Sequence, residues 1–167
     1  MIGDMATTLL ALGSNLGDRA ENLARARALL AQTITLLAVS PIYETAPWGV
    51  VDQPHFLNQV VMAETELAPD ALLALAKSIE ARMGRDFSAI RYGPRVIDID
   101  IIGYDSLIQS NASLTIPHQR LPERAFVLVP LSDIAADWVH PHLGLTVTQM
   151  LARVDATGVK PYPPHDE

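Results

Sequence analysis

The sequence predicts one domain of the α+β class, and three features of the chain support this prediction. Its 167 residues suit a single domain, and 49% of them are hydrophobic, which is enough for a sizeable core. Apolar segments with strand-like and helix-like spacing follow one another in the order βαββαβ, and further helical segments come after them. A loop rather than a helix joins the second and third strands, which disfavours a doubly wound sheet. We therefore predict a ferredoxin-like sandwich with additional C-terminal helices.

A change in apolar spacing marks the first strand and the first helix. Residues 7–12 are nearly all apolar, as expected of a central strand. A turn cluster follows, and Asp18 and Glu21 then have the spacing of a capping box. Helical spacing of the apolar residues beyond this point predicts a helix that ends near Gln32.

Two further strands and a second helix come next. Residues 34–43 predict a strand interrupted near Pro41, and residues 56–67 predict a longer strand. The loop between them, residues 45–55, is longer than a tight hairpin needs, and long loops in compact domains are usually functional. Pro69 then stands where prolines are favoured, at the start of a helix.

The segment GPRVIDIDIIGY follows a second long loop, residues 85–94, and is the most informative part of the chain. It predicts a strand whose isoleucines face a core while Asp98 and Asp100 share the opposite face. These carboxylates repel by about 2–3 kcal/mol at an effective dielectric constant of about 20, so water, an arginine or a metal has to offset the repulsion. Mg²⁺ suits bare carboxylates, and Arg91 and Arg95 suit phosphate oxygens, which indicates phosphoryl chemistry on a nucleotide. The alternative is a half-exposed strand with a solvated acidic face.

The remainder of the chain has a less regular pattern. Residues 107–116 predict a short strand pair, and a helical segment begins at Leu121. A capping-box pattern at Thr146 predicts a last short helix. The domain then spans residues 1–159, and we expect residues 160–167, which contain three prolines, to be a mobile end.

Composition excludes several functional classes. The chain has no cysteine, which excludes a disulfide framework, a thiol nucleophile and a zinc–thiolate site. Its formal net charge of -7 argues against a nucleic-acid partner. No apolar run approaches the roughly 18 residues of a membrane span, so we expect a cytoplasmic protein without a membrane partner. Both glycine-rich phosphate loops, GxGxxG and GxxxxGK[ST], are missing from the sequence, so side chains and a metal must hold any nucleotide.

Five segments of the chain, taken in order, resemble the hydroxymethyl-dihydropterin pyrophosphokinases of folate biosynthesis. They are LGSNLGDR, YETAPWGVVDQPHFLNQVV, RMGR, RYGPRVIDIDI and LTIPHQRLPERAFVLVPL. The resemblance extends from about residue 7 to about residue 141. It implies a ferredoxin-like fold and the transfer of a pyrophosphoryl group from MgATP to the hydroxymethyl group of 6-hydroxymethyl-7,8-dihydropterin, with release of AMP.

The resemblance also implies roles for individual residues. Asp98 and Asp100 match the ligands of two magnesium ions, and Arg85 and Arg95 match arginines that assist the transfer. Six residues match positions that contact ATP: Arg91, Tyr92, Ile101, Thr115, His118 and Arg124. Five match the pterin pocket, with two stacking phenylalanines, an asparagine at the pterin edge and a loop as a wall: Thr45, Trp48, Phe56, Asn58 and Phe126.

Some positions depart from the family pattern or have two interpretations. Tyr92 replaces the tryptophan of some relatives, residues 86–90 lack basic side chains, and Ser113 stands where a basic ATP contact can occur, so we expect weaker ATP binding. Glu80 matches an acidic family position near the site, with an ordinary surface helix residue as the alternative. Residues 13–15 resemble the turn after the first strand, and we interpret them as structural support beneath the pocket.

Two other functions compete with the pterin enzyme. A non-catalytic ferredoxin-like module would bind a small ligand reversibly without consuming ATP. A different magnesium-dependent kinase on the same scaffold would release ADP rather than AMP. Phe56, Asn58 and Phe126 favour the pterin enzyme over both. We expect a monomer that has ATP and the reduced pterin as its partners.

Overall fold

The computed structural model of the protein describes residues 5–46, 52–84 and 95–163. Within these ranges the strands in chain order are β1 (Ala6–Ser14), β2 (Thr35–Val39), β3 (Ile42–Thr45), β4 (Phe56–Thr65), β5 (Asp98–Tyr104), β6 (Gln109–Ser110), β7 (Thr115–Ile116) and β8 (Lys160–Tyr162). The helices are α1 (Arg19–Ala31), α2 (Pro69–Arg82), α3 (Ala125–Ala135) and α4 (Val147–Leu151), with a 3-10 turn at Leu121–Glu123. In the part of the chain described, no helix has the length and apolar character that crossing a membrane requires.

Strand β1 is an inner strand of the main antiparallel sheet and lies between β5 and β4. The strand order is β5-β1-β4-β3-β8, and β2 also pairs with β4. The side chains of β1 alternate between two cores. Leu10 and Leu12 share one core with α1 and α2, whereas Leu9 and Ala11 share the other with α3 and α4. A strand that is buried on both faces must be apolar along its length, and the predicted central strand is confirmed.

Local signals set the ends of several elements. The Asp18 side chain accepts a hydrogen bond from the Glu21 backbone N–H at 3.1 Å, which caps α1. Thr146 and Gln149 form both hydrogen bonds of a capping box at the start of α4. Pro41 separates β2 from β3. The result is a mixed α/β protein with an antiparallel sheet, and these predicted boundaries are confirmed.

The C-terminal segment differs from its prediction. The sequence predicts a mobile end over residues 160–167, but Lys160–Tyr162 form β8, which pairs with the outer edge of β3. The Arg19 guanidinium carbon lies 5.5 Å from the centroid of the Tyr162 ring and adds a cation–π contact. The prediction is therefore wrong for these three residues, because an unpaired strand edge offered them hydrogen bonds. Residues 164–167 lie outside the described part of the chain.

Candidate functional site

A cavity of about 260 Å³ lies where β1 ends. Because β1 runs antiparallel to both of its neighbours, its last residues lie beside the first residues of β4 and β5. Nine of the residues selected from the sequence line this cavity: Thr45, Phe56, Asn58, Arg95, Asp98, Asp100, His118, Arg124 and Phe126. Residues that are far apart in the chain thus converge on one space.

A second cavity, of about 350 Å³, adjoins the first. Asp100, His118 and Arg124 line both cavities, so the two form one continuous site. The second cavity adds Ile101 and Thr115, which the sequence had grouped with His118 and Arg124 as nucleotide contacts. These four side chains therefore share one cavity.

Four residues selected from the sequence lie outside the described residues. They are Trp48, Arg85, Arg91 and Tyr92. Their predicted roles stay predictions.

Asp98 and Asp100 face the site from alternate positions of β5, and the isoleucines between and beside them are buried in the core. Arg95 Nη1 lies 3.1 Å from Asp98 Oδ1, and Arg124 Nη1 lies 3.9 Å from Asp100 Oδ2. The aspartate side chains are 26% and 34% exposed, so this face of the strand is partly buried and lies beside arginines. Arginines offset part of the repulsion between the two carboxylates.

Burial changes the protonation of two groups in the site. Partial burial, followed by the charge of Asp98, raises the pKa of Asp100 to about 7. Burial, followed by the charge of Arg124, lowers the pKa of His118 to about 4, so its imidazole is neutral near pH 7. His118 Nδ1 accepts a hydrogen bond from the Arg120 backbone N–H at 3.1 Å. The proton of the neutral ring is therefore on Nε2, which is available as a donor.

The β4 side of the cavity is neutral. Asn58 Nδ2 donates a hydrogen bond to Thr45 Oγ1 at 2.8 Å, and both side chains are buried. This bond fixes the amide and leaves its oxygen directed to other donors. Gly13 of β1 pairs with Asn58 on one side and with Asp98 on the other. The neutral amide and the first carboxylate therefore stand on the same rung of the sheet, separated by β1.

Two residues of α2 lie at the site: Lys77, which the sequence did not indicate, and Glu80, which matches an acidic family position near the site. Lys77 lines both cavities, and its Nζ lies 3.7 Å from Glu80 Oε1. Glu80 is fully buried and accepts a hydrogen bond from the Ile99 backbone N–H at 2.7 Å, between the two aspartates. The surface interpretation of Glu80 is therefore wrong. Its position next to Ile79, on the apolar side of α2, was the available signal.

The donor set of the site suits a hard cation. Among the described residues, no group of three or more histidine, aspartate or glutamate side chains could hold a metal on its own. Magnesium, however, is usually bound by one or two carboxylates together with substrate phosphates. Asp98 and Asp100 provide two such carboxylates beside arginines.

Comparison with known proteins gives a consistent result. Residues 9–136 match the family described as 7,8-dihydro-6-hydroxymethylpterin-pyrophosphokinase. The chain is 48% identical over 158 residues to a 2-amino-4-hydroxy-6-hydroxymethyldihydropteridine pyrophosphokinase of Methylorubrum extorquens, covering 93% of this chain and 98% of that relative. It is 42% identical over 159 residues to a folic acid synthesis protein of Schizosaccharomyces pombe, covering 94% of this chain but only 22% of that much longer protein.

A solved structure supports the same fold. The crystal structure of a Plasmodium falciparum HPPK-DHPS triple mutant superimposes with a TM-score of 0.74 over 90% of this chain and 44% of that chain. The sequence identity is 18%, so this likeness bears on the fold alone.

Proposed function

The chain belongs to the 7,8-dihydro-6-hydroxymethylpterin-pyrophosphokinase family, and we propose that its two adjoining cavities hold the two substrates of the family's reaction. In this reaction pyrophosphate is transferred from ATP to the hydroxymethyl group of 6-hydroxymethyl-7,8-dihydropterin, AMP is released, and the product serves folate biosynthesis. The assignment depends mainly on one observation: a neutral, aromatic side next to β4 and a charged side formed by the β5 aspartates and nearby arginines line the same cavity.

The pterin is assigned to the β4 side of the first cavity. Phe56 and Phe126 both line this cavity and supply aromatic faces for a flat heterocycle. Asn58, fixed by Thr45, offers a donor and an acceptor to the amide-like edge of the ring. Trp48 is proposed as a further wall of the pocket, from its match to the family motif.

The nucleotide is assigned to the second cavity and to the charged side of the first. Ile101 and Thr115 line the second cavity, His118 can donate through Nε2, and Arg124 can bind phosphate. Lys77 adds a cation at the junction of the cavities and partly replaces the basic group that Ser113 lacks. Arg85, Arg91 and Tyr92 are proposed as further contacts from the motif alone.

Asp98 and Asp100 are proposed to hold two magnesium ions together with the phosphates of ATP. When bound, the ions neutralise phosphate charge and orient the triphosphate. Arg95 and Arg124, each within 4 Å of one aspartate, are then the protein's fixed positive charges at the phosphates. Arg85 is assigned to the same task by its match to the family.

In the proposed mechanism, the protein mainly positions two bound molecules. The pterin hydroxyl oxygen attacks the β-phosphorus in line, the bond from this phosphorus to the α,β-bridging oxygen breaks, and AMP leaves with that oxygen. The hydroxyl proton is lost to a carboxylate or to solvent. The aromatic pair orients the acceptor while the arginines stabilise the charge that moves to AMP, as in phosphoryl transfer generally.

Product analysis tests this function. Incubation with MgATP and the reduced pterin should give equal amounts of AMP and pterin pyrophosphate, and formation should depend on both substrates. ADP as the nucleotide product would contradict pyrophosphoryl transfer. Reversible pterin binding without turnover by folded protein would instead favour the non-catalytic binding module.

We also infer the finer fold type and the setting of the reaction. When β2 and β3 are counted as one interrupted strand, the order βαββαβ and the strand sequence β5-β1-β4-β3 support a ferredoxin-like sandwich with α3 and α4 added. We further propose a cytoplasmic monomer without a membrane partner, and the net charge of -7 disfavours a nucleic-acid partner.

A further inference from the structure

Asn15 follows β1 directly and forms hydrogen bonds in two directions. The residue is fully buried. Its Nδ2 donates to Gln53 Oε1 at 2.8 Å and to the Pro54 carbonyl oxygen at 3.0 Å. Its Oδ1 accepts from the Arg95 backbone N–H at 2.7 Å, and its own backbone N–H donates to the Arg95 carbonyl oxygen at 2.9 Å. One side chain thus contacts two distant segments.

These two segments lead into the two sides of the cavity. Pro54 comes shortly before Phe56, where β4 begins, and Arg95 comes shortly before Asp98, where β5 begins. Strands β4 and β5 do not pair with each other, because β1 lies between them. The pairing of β1 with β4 ends at Ser14, and Asn15 continues the connection one residue further. Asn15 thus connects the segment before β4, on the neutral side of the cavity, to the segment before β5, on the charged side.

We propose that Asn15 is a positioning residue that fixes the distance between the acceptor substrate and the triphosphate. This inference rests on the proposed function. Asn15 is outside both cavities as far as the described residues define them, so it acts through Pro54 and Arg95 rather than by touching a ligand. A displacement of about 1 Å between two reacting groups can lower a rate by about 10²-fold. A buried amide with partners on both sides is well suited to prevent such a displacement.

The Asn15→Asp variant breaks only half of this connection. An aspartate oxygen can still accept from the Arg95 N–H, but the other oxygen faces two acceptors, Gln53 Oε1 and the Pro54 carbonyl. We expect kcat to fall about 10²-fold, because alignment is lost. The dissociation constants of a non-hydrolysable MgATP analogue and of the pterin, each measured alone, should change by less than about threefold, because each side keeps its own contacts.

Two further variants distinguish a loss of positioning from the effect of the added negative charge and from a general loss of stability. The side chain of Asn15→Ser is neutral and too short to reach Pro54 or the Arg95 N–H, so only the backbone hydrogen bond to the Arg95 carbonyl oxygen remains and the same loss of kcat is expected. Asn22→Ala is the matched control, since Asn22 Nδ2 donates to Ser14 Oγ and to the Leu16 carbonyl oxygen in the same turn without contacting Arg95 or Pro54. Its kcat should stay within about twofold of the wild-type value.

Gln53→Ala keeps the inference testable if the Asn15 variants do not fold. Gln53 is only partly buried, and its removal deletes one of the two hydrogen bonds toward β4. We expect a fall in kcat of about three- to tenfold with unchanged dissociation constants. Unchanged kcat in Gln53→Ala, or an Asn15→Asp variant that loses stability but keeps wild-type kcat, would overturn the positioning role. Lack of turnover by wild-type protein would instead refute the proposed function.

Discussion

The two sides of the cavity differ in the interactions that organise them: hydrogen bonds between neutral groups on one side and charges on the other. On the β4 side, one hydrogen bond from Asn58 to Thr45 orients the amide, and Phe56 adds an aromatic surface, so this side keeps its geometry without added charge. On the β5 side, Asp98 and Asp100 lie close together and depend on charges supplied from elsewhere. The neutral side is therefore organised to recognise shape and hydrogen-bonding edges, whereas the charged side is organised to bind an ion-rich partner.

Because of this difference, ligand binding at the two sides should respond differently to salt and to divalent cations. Hydrogen bonds between neutral groups respond weakly to salt, whereas ion pairs that are partly exposed weaken as salt screens them. Ligand binding at the charged side should therefore depend on ionic strength and on divalent cations, and ligand binding at the neutral side should not. Variants that disable one side should therefore leave ligand binding at the other side largely unchanged.

The largest effect is expected when a carboxylate is removed from the charged side. Asp98→Ala or Asp100→Ala should lower pyrophosphoryl transfer more than about 10³-fold, because the carboxylates of the proposed magnesium site act as a pair. Pterin binding, measured by titration without nucleotide, should be kept, and so should the circular dichroism spectrum. Asp70→Ala, at an exposed position in the first turn of α2, is the control and should retain activity. Full activity in either site variant would refute the metal assignment.

The next largest effect concerns the neutral side. Phe126→Ala should weaken pterin binding by about 10- to 100-fold, because an aromatic stacking partner is worth roughly 1–3 kcal/mol to a planar ring. ATP binding should weaken only slightly, through the Arg124 guanidinium carbon that lies 5.4 Å from the Phe126 ring centroid. Calorimetric titration of each ligand measures both effects.

A matched variant on the same helix controls for lost packing. Ile134→Ala removes a side chain that packs against the same core as Phe126 but does not line the cavity among the described residues. It should lower the melting temperature without changing pterin affinity. Equal weakening of pterin and ATP binding in Phe126→Ala would contradict the division between the two sides.

Short-range patterns predicted the charged strand well. The alternation of isoleucine and aspartate in β5 is enough to place the carboxylates opposite the core, because a strand repeats every two residues. Pro41 and the capping pattern at Thr146 likewise act on their immediate neighbours. Where residues adjacent in the chain decide the local conformation, the sequence was sufficient to predict it.

Contacts between distant segments were not predictable in this way. Asn15 bonds to Pro54, 39 residues away, and to Arg95, 80 residues away, and no local pattern indicates either partner. Glu80 follows Ala76 by four positions on the buried side of α2, but no local pattern indicates that its carboxylate accepts from the Ile99 backbone N–H, 19 residues away. Strand β8 forms because β3 leaves an edge unpaired, which depends on the whole sheet. The residue pattern indicated the two aspartates and the arginines beside them, and the resemblance to a family selected the other candidate site residues.

A smaller effect is expected from the hydrogen bond that orients Asn58. Thr45→Val keeps the shape of the side chain but removes the acceptor Oγ1 for Asn58 Nδ2. The KM for the pterin should rise about five- to tenfold, because a buried amide donor without its partner costs roughly 1 kcal/mol or more. Thr45→Ser retains the hydroxyl and should behave like the wild type. Steady-state kinetics distinguishes the two, and a KM change for ATP instead of the pterin would contradict this assignment.

The smallest expected effect is on the free energy of unfolding, and it tests whether His118 on the charged side is neutral. Burial and Arg124 lower the pKa of His118 from 6.5 to about 4. Between these values the unfolded chain binds more protons than the folded protein, so the wild type loses stability as pH falls from about 7 to about 4. His118→Gln does not titrate and should escape this loss.

Denaturant unfolding of the wild type and of His118→Gln at pH 8 and pH 5 measures the difference. At pH 8 both forms of residue 118 are neutral, so the gap between the two proteins reflects packing and the lost hydrogen bond alone. At pH 5 the free energy of unfolding of His118→Gln, relative to that of the wild type, should be about 1 kcal/mol higher than at pH 8. The increase is smaller than the full penalty of a buried charge because water at the cavity moderates that penalty. A gap that stays constant with pH would mean that His118 is protonated equally in the folded and unfolded states. The charged side would then tolerate a positive imidazole, and burial beside Arg124 could no longer be the reason that the His118 ring is neutral.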